Sequence, residues 1–261
     1  MNPIAFSISG FDVRWYGIMI SFAILVALFI AYINVKKRNM DFNVIIDLFL
    51  WGFPFAIIGA RTYYVIFEWD YYKNHLDQIL NIRGGGIAIH GALIGAILTA
   101  IIYCKIKKVD FLKYADVAIP SIIIAQGIGR WGNFFNSEAH GGEVSKEFIS
   151  HFPKFIQEGM FIGGKYYHPT FLYESIWDIL IGIVLIIILY KLSDKYKGIV
   201  LASYGILYSV GRYFIEGLRT DSLYIGNIRM AQLISIVIII ISGIYMIYIF
   251  SKNKKTKGYE L

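Results

Sequence analysis

Along this chain, long uncharged apolar runs alternate with short polar connections. Stretches such as YGIMISFAILVALFIAYINV and ILIGIVLIIILYKL are too long and too poor in charge for core helices of a water-soluble domain. The first has the ~20 residues that carry a helix across a ~30 Å hydrocarbon core, and the second is the apolar part of a longer run that starts near 170. The pattern predicts seven helical spans, at about 15–35, 43–67, 86–104, 114–135, 170–191, 198–217 and 229–250. Pro120 and three glycines interrupt the fourth, a break that a membrane helix tolerates where its neighbours satisfy the backbone. The expected fold is therefore all-α and polytopic, a single integral membrane domain over residues 1–261.

Composition strengthens this reading. The chain is 57% hydrophobic and 16% charged, against about 25% charged in a soluble domain. A net charge of +7 raises the question of nucleic acid, but the basic residues gather in short clusters between apolar runs and no nucleic-acid motif is present. KKR at 36–38, KIKK at 105–108, KLSDKYK at 191–197 and KNKKTK at 252–257 all fall after odd-numbered spans. The other connections carry fewer basic residues, namely Lys73, Arg83, Lys146, Lys154, Lys165 and Arg219. By the positive-inside rule the N-terminus is expected outside and the C-terminus in the cytoplasm. The N-terminus lacks a basic n-region and no small-residue cleavage site follows the first apolar run, which is therefore expected to be a retained helix. The long connection at 136–169 then becomes an extracytoplasmic cap, in which EVSKEFISHFPKFIQEGMF predicts a short amphipathic helix. Cys104, the one cysteine, has no partner for a disulfide or a metal and reads as structural.

Against this background, ionisable residues in or beside the spans stand out, because charge at membrane depth is expensive and usually functional. Arg61, His90, Arg130, Arg212 and Arg229 are the basic ones, and Glu138, Glu174 and Glu216 the acidic ones. In GRYFIEGLRTD, Arg212 and Glu216 are four apart and share a helical face. They can form a simple interfacial ion pair, and such a pair also holds a guanidinium ready for an anion. In RGGGIAIHGALIGAIL no Gly-Lys-Ser/Thr follows the glycines, which argues against a nucleotide loop. Gly91 and Gly95 there permit close helix packing. His90 is either a histidine satisfied by a neighbouring helix or a base working near neutral pH. In HPTFLYE, Pro169 suits a first helical turn and Thr170 is placed to help cap it, while Glu174 lies one turn further in. Together these segments sit at the outer ends of spans three to six. Arginine grips phosphate through several donors, and a phospholipid headgroup is the anion available at that depth. A polar pocket open to the outer leaflet is the expectation. An anion transporter would favour inverted repeats or paired broken helices, a metal-dependent headgroup transferase would need clustered aspartates, and a scaffold would need no polar constellation at all.

The residues Gly129, Arg130, Gly132, Asn133, Phe134, Asn136, Glu138 and Gly141, in that spacing, resemble the signature of the prolipoprotein diacylglyceryl transferase family. The resemblance extends along the chain, through RWYG (Arg14–Gly17), HGALIG (His90–Gly95), HPTFLYE, GRYFIEGLR and MAQLIS (Met230–Ser235). It implies a bacterial inner-membrane enzyme with seven spans and with no metal or organic cofactor. Such an enzyme moves the sn-1,2-diacylglyceryl group of phosphatidylglycerol to the lipobox cysteine thiol of a preprolipoprotein, leaving a thioether and glycerol 1-phosphate. Carried over residue by residue, it implies catalytic roles for Tyr16, His90, Arg130 and Arg212, and lipid binding by Arg130, Asn133, Glu138, Gly141, Arg212 and Glu216. Arg130 and Arg212 are expected to stabilise charge on the departing phosphate, and His90 to accept the thiol proton. Tyr16 is expected to assist or to orient the lipid, Asn133 and Glu138 to position the headgroup or brace the arginines, and Gly141 to allow a tight backbone turn.

Overall fold

The computed structural model describes residues 2–8, 10–82 and 85–258, with side chains as far as Lys254 apart from Ile225. Arg83, counted above among the outward-side basic residues, lies outside the described residues, as do the side chains of Lys255 and Lys257. A hairpin of β1 (Ile4–Ile8) and β2 (Phe11–Arg14) leads into α1 (Trp15–Lys37). Then come α2 (Phe42–Phe67), the single turn α3 (Trp69–Tyr72), α4 (Ile89–Ile106) and α5 (Phe111–Phe135). The segment after α5 holds β3 (Glu143–Val144), α6 (Lys146–Ile149), α7 (Lys154–Gly159), β4 (Phe161–Ile162) and β5 (Lys165–Tyr167). The chain finishes with α8 (Thr170–Leu192), α9 (Ile199–Glu216), a hairpin of β6 (Tyr224–Ile225) and β7 (Ile228–Arg229), and α10 (Met230–Gly258).

Among the described residues, six helices are long and apolar enough to cross a membrane: α1, α2, α4, α5, α8 and α10. The protein is thus all-α and polytopic. The seventh expected span, at 198–217, does form a helix, α9, but it is not one of the six. Ser203, Tyr204, Ser209, Arg212 and Glu216 dilute its apolar character, so length and composition alone do not qualify it.

The chain divides into two compact units, Val35–Tyr114 on one hand and Met1–Asn34 with Ala115–Leu261 on the other. In the first, α2 packs along α4. A Cβ added at Gly91 or Gly95 would overlap the backbone carbonyl of Gly59 or Phe55, so the expected close packing at this glycine pair is present. The expected span at 86–104 starts three residues late, because its leading glycines have another task. Gly85 and Gly86 take positive φ, and their carbonyls accept hydrogen bonds from Arg61 Nη1 at 3.1 and 2.7 Å. Arg61 also donates to the carbonyls of Gln78 (2.6 Å) and Ile79 (2.8 Å), and lies over the Tyr72 ring. Buried at 7% exposure, it holds the α2–α4 connection in one shape by solvating its cation with four carbonyls.

In the second unit, α8 and α10 both pack on α9. The start of α9 is fixed by Asp116 of α5, whose buried carboxylate accepts from the N–H groups of Gly198, Val200 and Leu201 at 2.7–3.0 Å. A helix N-terminus otherwise leaves such donors unpaired. The segment between α5 and α8 forms a three-stranded antiparallel sheet in the order β3-β5-β4 with the two short helices α6 and α7. Its core (Ile149, Ile156 and Met160) is continuous with Phe134 at the end of α5 and Phe171 at the start of α8, whose rings stack at 4.5 Å. That apolar plug sets the directions in which α5 and α8 present their polar residues.

Candidate functional site

Arg130 lies five residues before the end of α5, and Glu174 lies one turn into α8. The buried stripe of α8 runs through Thr170, Glu174, Asp178, Ile181, Leu185 and Leu189, at the three-to-four spacing of a core-facing helix. Trp131 joins the two helices, with its indole N–H donating to Ser175 Oγ (3.1 Å) and its ring against Phe171. Arg130 Nε then stands 2.8 Å from Glu174 Oε2. From α9, Arg212 Nη1 donates to Glu174 Oε1 at 2.5 Å, and Arg212 Nη2 pairs with Glu216, one turn on. A third guanidinium, that of Arg219, approaches Glu174 Oε1 at 3.7 Å. Three arginines from three separate stretches of chain therefore meet on one carboxylate that is 5% exposed.

These guanidiniums differ in what they have left to offer. Both terminal nitrogens of Arg212 are engaged by carboxylates. Arg219 is held in a fork by Asp221, at 2.9 and 2.7 Å. Burial alone would raise the Asp221 carboxyl, but the Arg219 bond and charge outweigh it and hold the group below the usual carboxylate range. Arg130 touches Glu174 through Nε alone, and among the described residues its two terminal nitrogens have no hydrogen-bond or ion-pair partner. It is the donor pair free to take an anion.

The remaining sequence-selected residues have separate settings. Tyr16 lays its ring on Gly132, where an added Cβ would stand 2.8 Å from Tyr16 Cδ2. The glycine makes room for the tyrosine two residues along α5 from Arg130. Asn133 Nδ2 donates to Glu138 Oε1 (2.9 Å), with Asn136 Nδ2 at 3.5 Å from the same oxygen. These three form a small exposed brace of their own, and neither Asn133 nor Glu138 contacts an arginine among the described residues. Arg229, at the foot of α10, donates from Nη1 to the Glu216 carbonyl (2.6 Å) and so closes the C-terminal end of α9. His90 belongs to the other unit, in the first turn of α4 with the Tyr63 ring beside it at 6.1 Å.

Two local expectations need correction. Thr170 does not cap α8, which starts without a side-chain cap; its hydroxyl donates to the Ala139 carbonyl at 2.7 Å. Nor does Gly141 serve a turn of positive φ. It sits between two partners, paired with Arg219 in an isolated antiparallel bridge and donating its N–H to the His168 carbonyl (3.0 Å). A Cβ there would lie 2.6 Å from His168 Cβ and 3.0 Å from the Leu218 carbonyl oxygen. His168 is itself partly buried, and that burial pushes its imidazole below the usual value. Gly141→Ala should therefore force apart the backbones that seat Arg219, destabilising the protein by about 1–3 kcal/mol as overpacking does. Thermal unfolding of the purified variant measures this, and an unchanged midpoint would show that the contact yields freely.

The sequence placed Arg212 and Glu216 together by their spacing, but it underrated Glu174 and passed over Asp178 and Arg219. One signal was available. Glu174 and Asp178 are four apart on a helix with no other acid in its first three turns, and two carboxylates on one face of an apolar span require partners.

A profile of the family described as Prolipoprotein diacylglyceryl transferase matches residues 3–248, which include every residue of the arginine cluster. The chain belongs to the prolipoprotein diacylglyceryl transferase family. Relatives agree along almost the full length. The phosphatidylglycerol–prolipoprotein diacylglyceryl transferase 1 of Clostridium perfringens (strain 13 / Type A) is 65% identical over 257 residues, covering 98% of both chains. A protein named phosphatidylglycerol–prolipoprotein diacylglyceryl transferase from Clostridium botulinum (strain Langeland) is 57% identical over 98% of this chain and 100% of its own. A third of that name, from Clostridium kluyveri, is 55% identical over 98% and 99%. In this member of the prolipoprotein diacylglyceryl transferase family the arginine cluster draws on α5, α8, α9 and the loop that follows α9.

Proposed function

We propose that this protein transfers the diacylglyceryl group of phosphatidylglycerol to the lipobox cysteine thiol of a prolipoprotein, the first step of lipoprotein maturation. The observation that carries this reading is the free pair of Arg130 terminal nitrogens beside the shared carboxylate Glu174. Sulfur attacks the glyceryl carbon, the C–O bond breaks, and its electrons go to the phosphate, which leaves as glycerol 1-phosphate. Donors already fixed where that charge develops lower the barrier, and at membrane depth they act in a medium of low dielectric. Glu174 holds Arg130 and Arg212 in place before the lipid arrives, so little reorganisation remains. Arg130 takes the phosphate first, and Arg212 joins as the phosphate competes with Glu174 for its N–H groups. Tyr16 orients the lipid next to Arg130, while the Asn133–Glu138 brace shapes the polar end of α5 around the headgroup. Gly141 and Glu216 support the site by fixing the Arg219 and Arg212 backbones and side chains.

The thiolate is the nucleophile, and a free thiol with a pKa of ~8.5 needs only modest help from a base. His90 is assigned that role on the resemblance of its HGALIG segment. Its replacement by asparagine should slow transfer by about 10²–10⁴-fold, the usual weight of general-base catalysis. Parent-like turnover by folded His90→Asn, read as the mass of the peptide product, would place the base elsewhere.

The enzyme is placed in the bacterial cytoplasmic membrane with its N-terminus outside and its C-terminus in the cytoplasm. The weight of lysine after odd-numbered spans supports that orientation, and α9 is taken as the seventh span. Its 18 residues extend about 27 Å at 1.5 Å per residue, and it is flanked by α8 and α10, which qualify on their own. The central experiment incubates the purified protein with phosphatidylglycerol and a lipobox peptide and weighs the peptide. A mass gain of one diacylglyceryl group is expected, absent when the peptide's cysteine is replaced by serine. No gain with the cysteine peptide would end the proposal.

A further inference from the structure

The buried face of α8 carries two carboxylates one turn apart, and they are treated very differently. Glu174 is shared by three guanidiniums, whereas Asp178, 2% exposed, has an Oδ2 with no hydrogen-bond partner among the described residues. Asp178 faces α5 at Gly127, where an added Cβ would lie 3.1 Å from its own. Gly127 is three residues before Arg130 and so lies on nearly the same face of α5. On that side there is a donor held only by charge. Arg130 Nε is buried and close to Glu174, but the contact is ionic and off the hydrogen-bond direction. The charged and titratable groups around Asp178 are Arg130 on α5, Glu174 on its own helix, and Arg212 and Tyr204 on α9.

A carboxylate buried among apolar helices without a donor is costly, and nothing in the packing of α8 requires an acid there. Asparagine would fill the same volume. Asp178 Oδ2, which has no donor among the described residues, and Arg130 Nε, which Glu174 holds through an ion pair alone, sit on adjoining helices and are matched for each other in a second arrangement of the site.

We infer that Asp178 is a positioning residue for Arg130, the second carboxylate on which that guanidinium rests when a lipid phosphate draws it away from Glu174. This deepens the function proposed above and rests on it. Phosphate engages the terminal nitrogens of Arg130. Nε turns towards Asp178, and the guanidinium keeps its plane instead of following the lipid outward. The acid is thus retained at the expense of stability because the reaction uses it.

The test compares parent, Asp178→Asn and Asp178→Glu as full-length proteins with phosphatidylglycerol and a lipobox peptide. Asp178→Asn should melt at or above the parent's temperature, since it removes an unpaired buried charge. Its kcat/KM for the lipid should nevertheless fall about tenfold, a coupling of ordinary size for adjoining groups. Asp178→Glu, which keeps the charge, should recover part of that loss. In an Arg130→Lys background the Asp178→Asn effect should shrink to within about twofold, because the acid acts through Arg130. The inference is overturned if Asp178→Asn keeps the parent's rate, if it loses thermal stability and so marks the acid as structural, or if its loss is the same in the lysine background. A parent protein that does not modify the peptide sinks the functional reading instead, and is told apart by that control alone.

Discussion

Arg130→Ala should reduce diacylglyceryl transfer by at least about 10²–10³-fold, the loss that follows removal of one fixed donor to a developing oxyanion, while the protein stays folded. The fold survives because of how the charges are shared. Removing Arg130 leaves Glu174 with Arg212 at 2.5 Å and Arg219 at 3.7 Å, so that carboxylate keeps its partners. Function fails because, of the three arginines on Glu174, Arg130 alone has both terminal nitrogens free of partners among the described residues. Arg130→Lys makes the argument sharper. Lysine restores the charge but not the planar fork, so it should recover only a small part of the rate. The readout is the mass of the peptide product, with a thermal melt of each variant to confirm folding. Near-normal turnover by folded Arg130→Ala would remove the clamp from the mechanism.

The helices and the arginines were legible in the sequence for different reasons. An apolar run needs no partner to announce itself, so six spans appear within a few residues of where they were expected. The seventh was visible as a helix but is diluted by the polar residues that make it useful. Arg212 and Glu216 declared their pairing because it is local, one turn along α9. Glu174 did not, because its three partners come from α5, α9 and the loop after α9. No spacing rule on one helix encodes such a meeting. Gly141 was chosen correctly as a place where a side chain would intrude, but the reason is a crowding of three chain segments rather than a turn. The triple glycine before His90 lacks the Gly-Lys-Ser/Thr of a nucleotide loop, and the sequence did not say what else it serves. Gly85 and Gly86 turn carbonyls towards Arg61, and that choice depends on a residue more than twenty positions earlier.

Glu174→Ala should behave in the opposite way to the Arg130 variant, with stability failing first. The carboxylate is 5% exposed and neutralises Arg130 and Arg212 directly. Deleting it leaves Arg130 with no ion-pair partner among the described residues, and Arg212 with Glu216 alone. Removing one member of a buried ionic cluster costs about 3–5 kcal/mol, because the charges left behind have lost both water and partner. The melting temperature of Glu174→Ala in detergent should therefore drop clearly below the parent's, with transfer lost alongside it. Glu174→Gln keeps the shape and one acceptor oxygen, so it should fall between the two. The phosphate of phosphatidylglycerol would be an anion able to replace the missing carboxylate, so adding that lipid should raise the melting temperature of Glu174→Ala more than that of Arg130→Ala, which has lost the group that grips it. Equal melting of Glu174→Ala and parent would show that the arginines are held by something other than this carboxylate, and the preorganised site would have to be abandoned.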